Sequence, residues 1–463
     1  MAAEVKNDFS KGPMWRNVLR MGLPMMLAQL INVLYSVVDR MYIGHMEGVG
    51  SLALTGLGLT MPLVSMIGAF AALCGTGGGP LCSIARGRGD LEDAERIMGN
   101  AFTLLLALGA VITLLFSVYL RPILFFFGAD NDTIAYAAQY GRIYVLGTVF
   151  VMISLGMNYF INAQGFARTG MLTVAVGAVI NIVLDPVFIF TLNMGIAGAA
   201  WATLLSQACS AAWVLCFLLG KKAILKLRLR NMRLRREVIG RILALGVTGF
   251  VMQFTNGVVQ IACNVELRAY GGSLFVGAMT VVNSVREVMF MIIHGLSNGA
   301  QPVLGFNYGA GEYGRVRRGI RFMTVSALAY AVFVTFMTQC FPAQLTRIFN
   351  DDPALLEISV RAMRIYFCAY LPMALQTAGQ CIFVALGKSR QAICFSMLRK
   401  VVIVTPLIFL LPRIPALGVY GVFWSEPISD VIGGLACYTT MYFTVYRQLG
   451  RLTSASDGKE RKP

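Results

Sequence analysis

Two stretches of this sequence repeat one another at a nearly constant distance. Gly195-Ile-Ala-Gly-Ala-Ala-Trp201 returns as Gly418-Val-Tyr-Gly-Val-Phe-Trp424, at an offset of 223 residues. Gln29-Leu-Ile-Asn32 returns as Gln253-Phe-Thr-Asn256, at an offset of 224. Gly78-Gly-Pro80 with Gly87 returns as Ala300-Gln-Pro302 with Gly309, at an offset of 222. One unit has therefore been duplicated, and the fold is restricted to two like halves. The matches sit inside very apolar sequence, so the duplicated unit belongs in a membrane. Matching halves with polar residues inside their helices are the architecture of a transporter.

Composition agrees. The chain is 57% hydrophobic and 13% charged, where soluble domains are about 25% charged. Its mean hydropathy is +0.69. Apolar stretches long enough to cross a bilayer recur throughout. They lie near residues 20–43, 52–84, 95–120, 134–161, 168–190, 195–219, 241–267, 274–307, 318–341, 355–385, 390–411 and 417–445. The chain is thus predicted to be an all-α integral membrane protein of about twelve transmembrane helices in two six-helix lobes. Six spans per half is an even number, so both halves enter from the same side. The lobes are then related by a pseudo-two-fold axis along the membrane normal. The expected organisation is an N-terminal lobe over 1–220, a basic cytoplasmic linker over 221–240, a C-terminal lobe over 241–447 and a cytoplasmic tail over 448–463.

A net charge of +17 is compatible with nucleic-acid binding, but its distribution is not. With the N-terminus cytoplasmic, the tails and even-numbered loops hold about 30 of the 39 Lys and Arg, leaving roughly 8 for the other side. The densest run, Lys221 to Arg241, contains Lys221, Lys222, Lys226, Arg228, Arg230, Arg233, Arg235 and Arg236. This bias satisfies the positive-inside rule without any ligand. Both termini are expected in the cytoplasm, and no nucleic-acid partner is expected. The hinge should attract anionic lipid headgroups in a generic way.

Residues 1–20 are polar and mixed in charge, so the first apolar run reads as a span rather than a cleavable signal. The ten cysteines lie almost all within spans and form no CxxC pair, so they read as packing residues. The two histidines, His45 and His294, are far apart. No metal or disulfide is expected.

The polar residues inside the spans carry the chemistry. An acid at mid-membrane costs about 2.5–3.5 kcal/mol on insertion scales, so each requires a reason. The first span carries Gln29, Asn32, Ser36 (or Tyr35) and Asp39 on one helical stripe. The fifth carries Asn181 and Asp185, four apart, and the sixth carries Thr203. Asp39 and Asp185 can meet inside one lobe. Two carboxylates in an apolar cavity can take up and release a proton near neutral pH, or hold a sodium ion. The plainer alternative is that Asp39 pairs with Arg40 or lies among headgroups, while Asp185 caps a kink before Pro186.

These residues resemble a known family. Asn181-Ile-Val-Leu-Asp185-Pro-Val-Phe-Ile-Phe190, followed by Met194-Gly-Ile-Ala-Gly-Ala-Ala-Trp-Ala-Thr203, resembles the fifth and sixth helices of multidrug and toxic compound extrusion (MATE) transporters. Val38-Asp39-Arg-Met-Tyr-Ile-Gly44 and Gln301-Pro-Val-Leu-Gly-Phe-Asn-Tyr-Gly309 match it as well. The resemblance covers essentially residues 15–447 and is nearest the prokaryotic proton-coupled branch. It implies a cation site in the N-terminal lobe formed by Asp39, Asn181, Asp185 and Thr203. It also implies a monomer in the plasma membrane that exchanges protons, or sodium, for cationic aromatic drugs, with no further cofactor.

The duplication adds an asymmetry. The counterpart of Asp39 is Cys263, and that of Asp185-Pro186 is Thr405-Pro406. The second half keeps the polar stripe of its first helix (Gln253, Asn256, Gln260, Asn264) but has no acid at either position. The ion site is therefore expected in the N-terminal lobe only. Glu426 and Asp430, four apart in the last span, keep sodium coupling open. The substrate cavity is expected between the lobes, lined by Gln29, Asn32 and Tyr35 from the first span and Gln253, Asn256 and Gln260 from the seventh. Glu287 is expected as an anion facing a cationic substrate, with Met289 and Met291 as soft neighbours. The alternative for Glu287 is a pair with Arg286 or another helix.

Three classes of function compete. An antiporter of organic cations fits the in-span charges, which lean acidic. A flippase of lipid-linked precursors would need a cationic cavity instead. An enzyme has no HExxH, GxSxG or Ser-Lys motif at a span end, and no Walker motif supplies ATP. The first helix is the expected moving element. Pro24 removes one of its backbone hydrogen bonds, and Gly22 lies two residues before, so it can bend there.

Overall fold

The computed structural model describes residues 9–44, 46, 50–127, 129, 131, 133–349 and 353–460, which leaves His45 outside it. Every regular element among the described residues is helical. Nine helices are long and apolar enough to cross a membrane singly, and two bent pairs qualify together. The expected last span is a 21-residue helix, Gly421–Met441. It falls short of that apolarity because Ser425, Glu426, Pro427, Ser429 and Asp430 are all in it. With it the chain is all-α with six spans in each half.

The duplication is visible in the backbone. The fourth span breaks between Ile134–Leu146 and Thr148–Ala163 with a 57° bend, and the tenth breaks between Pro353–Phe367 and Tyr370–Ala385 with a 49° bend. The seventh span (Arg236–Gly272) runs into the eighth (Leu274–Gly309). The turn between them is made at Gly272, with φ 74°, a conformation that a side chain resists.

The chain forms two compact units. The first comprises Met1–Lys11 and Leu23–Phe250; the second comprises Gly12–Gly22 and Val251–Pro463. Each unit thus includes the opening turns of the other half's first helix.

In the first unit, the glycine-rich second helix (Gly50–Gly87) lets neighbours approach closely. A Cβ on Gly78 would collide with the Phe160 ring, and one on Gly75 with the ring of Tyr159. A Cβ on Gly246 would lie 2.8 Å from the carbonyl carbon of Leu73, with the carbonyl oxygen nearer still. Small residues at such crossings are how helices gain packing where lipid removes the hydrophobic drive. The second unit repeats the device. A Cβ on Gly299 would lie 2.8 Å from the Met21 carbonyl carbon, with Gly22 nearer still. Gly22 and Gly246 are counterparts at the offset of 224, and Gly77 and Gly299 at 222.

Residues 221–240, expected as a linker, pack onto the first unit. Buried Glu95 accepts hydrogen bonds from the Lys226 amide (3.1 Å) and Asn231 Nδ2 (3.2 Å), and pairs with Arg228 (3.3 Å). Gln164 Oε1 accepts from the Leu225 amide at 2.8 Å. Asn100 donates to the Asn231 carbonyl and accepts from the Arg235 amide at 2.7 Å. Arg241 grips Asp93 with both terminal nitrogens. The basic side chains face out while the backbone is held by buried acceptors.

Candidate functional site

Inside the first unit, three helices converge on a polar site. Asp39 comes from the first helix (Met14–Gly44). Asn181 and Asp185 come from the fifth (Ala167–Pro186), and Thr203 from the sixth (Ile196–Leu219). All four are buried: Asp39 is 8% exposed, Asn181 1%, Asp185 0% and Thr203 8%. The i,i+4 spacing places Asn181 beside Asp185, and Asn181 Nδ2 donates to Asp185 Oδ1 at 3.3 Å. The same amide reaches Thr203 Oγ1 at 3.4 Å.

The carboxyl of Asp39 lies close enough to that of Asp185 for the two to interact electrostatically. Asp39 is buried while Arg40 is exposed, and among the described residues no ion pair joins them. Asp185 does not end its helix before the proline. The helix continues through Pro186 and relaxes into a π-turn over Val187–Thr191, a feature that often marks functional sites.

Three oxygens here have no hydrogen-bond partner: Asp39 Oδ1, Asn181 Oδ1 and Asp185 Oδ2. Orphaned buried acceptors are costly, and acceptor-only clusters are satisfied by a proton or a hard cation. Tyrosines close the site. Tyr35 lies near both acids, and Tyr140 lies near Thr203 and Asp39. Tyr140 and Tyr144 stack with ring centroids 6.0 Å apart.

The residues expected to line the substrate cavity are less gathered. Gln29 and Tyr35 are partly buried, whereas Asn32, Gln253 and Asn256 are exposed. Met289 packs against the core of the second unit, and its carbonyl accepts from Tyr330 Oη at 2.8 Å. Met291 is partly buried and Glu287 is exposed. Among the described residues, Glu287 forms no ion pair with Arg286.

The second unit holds a small, partly open pocket lined by Asn256, Gln260, Cys263, Asn283, Arg286, Tyr366, Lys400 and Glu426, among others. Asn283 donates to Gln260 at 2.8 Å, and Gln260 donates to Asn264 at 3.2 Å. Glu426 accepts from Lys400 (2.7 Å) and Arg399 (3.0 Å). Arg399 also pairs with Asp430 at 3.2 Å and donates to Gln376 at 2.9 Å.

Arg399 and Lys400 were not among the expected site residues, and Arg286 was expected only as a partner for Glu287. In-span charge leans acidic in the first unit but not in the second, where three cations meet two acids. A signal was available, because a Lys or Arg inside an apolar span requires the same explanation as an acid. Adjacent residues on a helix diverge, so Arg286 can line the pocket while Glu287 faces away.

Comparison with known proteins bears on this geometry. A family model described as MatE matches residues 24–187 and 249–410, once in each half. The multidrug export protein MepA of Staphylococcus haemolyticus is 27% identical over 451 residues, 96% of each chain. The fold is shared with solved structures. A multidrug resistance MATE family transporter of the MOP superfamily, in an outward-facing conformation, superposes with a TM-score of 0.88 at 22% identity, covering 96% of this chain and 98% of its own. A MATE structure in a bent conformation gives 0.89 at the same identity and coverage.

Proposed function

The chain belongs to the MatE family, and from that premise we propose that it is a multidrug efflux antiporter exporting cationic, aromatic organic compounds in exchange for protons. One observation carries the coupling: Asp39 and Asp185 meet, buried, with no base among them. Two carboxyl groups this close cannot both carry charge cheaply, so the pair is suited to sharing a proton. Asn181 and Thr203 hold the fifth and sixth helices to this pair. Protonation removes the repulsion between the first and fifth helices and rearranges the bonds around Asn181. The first helix, with Pro24 near its cytoplasmic end, is the element that answers. Alternating access then requires that drug and proton favour opposite states of that element.

Sodium coupling is the second reading. It is favoured by the same three orphaned oxygens, since two carboxylate oxygens and an amide oxygen suit a hard cation. Uptake of a fluorescent cationic dye into proteoliposomes under an imposed pH or sodium gradient tests both. Transport driven by the pH gradient alone supports proton exchange. Transport driven only by sodium replaces it, and transport of neither kind removes both.

A further inference from the structure

The acid site of the first unit has a twin in the second, and its charge is inverted. At the offsets of the repeat, Asp39 corresponds to Cys263 and Thr203 to Glu426. Both counterparts line the pocket of the second unit. The helix matching the one with Asn181 and Asp185 supplies Arg399 and Lys400 instead, from a π-helical stretch over Leu398–Val404. Neither acid of the first half has an acidic counterpart, and the matching helix of the second half brings two cations instead.

The cations exceed their partners. Glu426 and Asp430 are engaged by Arg399 and Lys400. Arg286 has no hydrogen bond or ion pair among the described residues, and its Nε is buried without a partner. Its planar guanidinium fork matches a carboxylate. Around it the pocket offers the amides of Asn256, Gln260 and Asn283 and the hydroxyl of Tyr366, with Val259 and Met279 as apolar wall.

We propose that this pocket of the C-terminal unit binds the carboxylate of a small organic acid, held by Arg286 and oriented by Asn256, Gln260 and Asn283. Glu426 lines the same pocket but is hydrogen-bonded to Lys400 and Arg399, and no hydrogen bond or ion pair joins it to Arg286 among the described residues. The site goes beyond the exchange of protons for organic cations and uses none of the four residues Asp39, Asn181, Asp185 and Thr203, although Asn256 and Gln260 were also expected to line the substrate cavity.

Isothermal titration of the full chain in phosphatidylcholine nanodiscs, with benzoate and its neutral analogue benzamide, tests this. Empty nanodiscs correct for partition into lipid. Benzoate is expected to bind saturably and benzamide not to bind. Arg286→Gln is expected to weaken benzoate about tenfold or more, the loss of a charge-assisted pair. Arg286→Lys, which keeps the charge but not the fork, is expected to fall between. Equal binding of benzoate and benzamide overturns the site, as does wild-type affinity in Arg286→Gln. If that variant does not fold, the benzoate–benzamide comparison on the unmutated protein still decides. Binding of a cationic dye to the same preparation reports on the drug reading separately.

Discussion

Gly22 and Gly299 touch backbone to backbone inside the second unit, as their counterparts Gly246 and Gly77 stand at the matching crossing in the first. The duplication therefore copied a contact as well as a sequence. Gly77 faces the carbonyl of Ile242 and Gly246 the carbonyl of Leu73, so neither crossing can be relieved by rotating a side chain.

Gly246→Ala and Gly299→Ala are expected to destabilise the protein by about 1–3 kcal/mol, the range for overpacking a tight site. Gly240→Ala, in the same helix as Gly246 but with nothing within 4 Å of an added Cβ, is the control. Thermal unfolding in detergent, followed by tryptophan fluorescence, should show lower midpoints for the first two and an unchanged or higher one for the third.

Asp39→Asn and Asp185→Asn are each expected to abolish gradient-driven efflux while leaving the folded fraction intact, because the amide holds one member permanently neutral. Dye efflux from everted vesicles measures this. Unimpaired efflux by Asp39→Asn would remove that residue from coupling.

Protons and a cationic drug should compete for the ionised acids. Proton uptake removes negative charge, so drug affinity is expected to fall as pH drops from about 8 to 6, and by linkage drug binding should release protons. Asp39→Asn is expected to flatten this dependence. Equal affinity at both pH values in the unmutated protein, measured by fluorescence titration, would refute competition at this site.

Glu95 pins the basic segment between the halves. Glu95→Ala removes the acceptor of the Lys226 amide, Asn231 and Arg228 together, and is expected to destabilise that attachment by about 1–3 kcal/mol. Limited trypsin digestion should then cut within 226–236 faster than in wild type. An unchanged rate would mean that Gln164 and Asn100 suffice to hold the segment.

The helical spacing that groups Asn181 with Asp185, and Gln29 with Asp39, is a local property and was legible at once. So was the family, from motifs around Asp39, Asp185 and Gly195. Glu287 shows where local reading ends. The divergence of adjacent helix residues suggested Glu287 as an anion of the cavity between the lobes; in the pocket inside the second unit it is Arg286 that lines the wall, while Glu287 is exposed. Nothing in a single helix says which of two adjacent side chains will face a cavity.

Sequence alone determined the duplication, the membrane spans and the acids that required explanation, because hydropathy, spacing and repeat offset are read along one chain. Tertiary structure decided that Asp39 reaches Asp185 and that Glu95 holds the basic segment. It also decided that Glu426 and Asp430 are paired with Arg399 and Lys400, while Arg286 has no ion pair among the described residues. Those outcomes depend on which faces of separate helices pack together, and packing is settled only when every helix is in place.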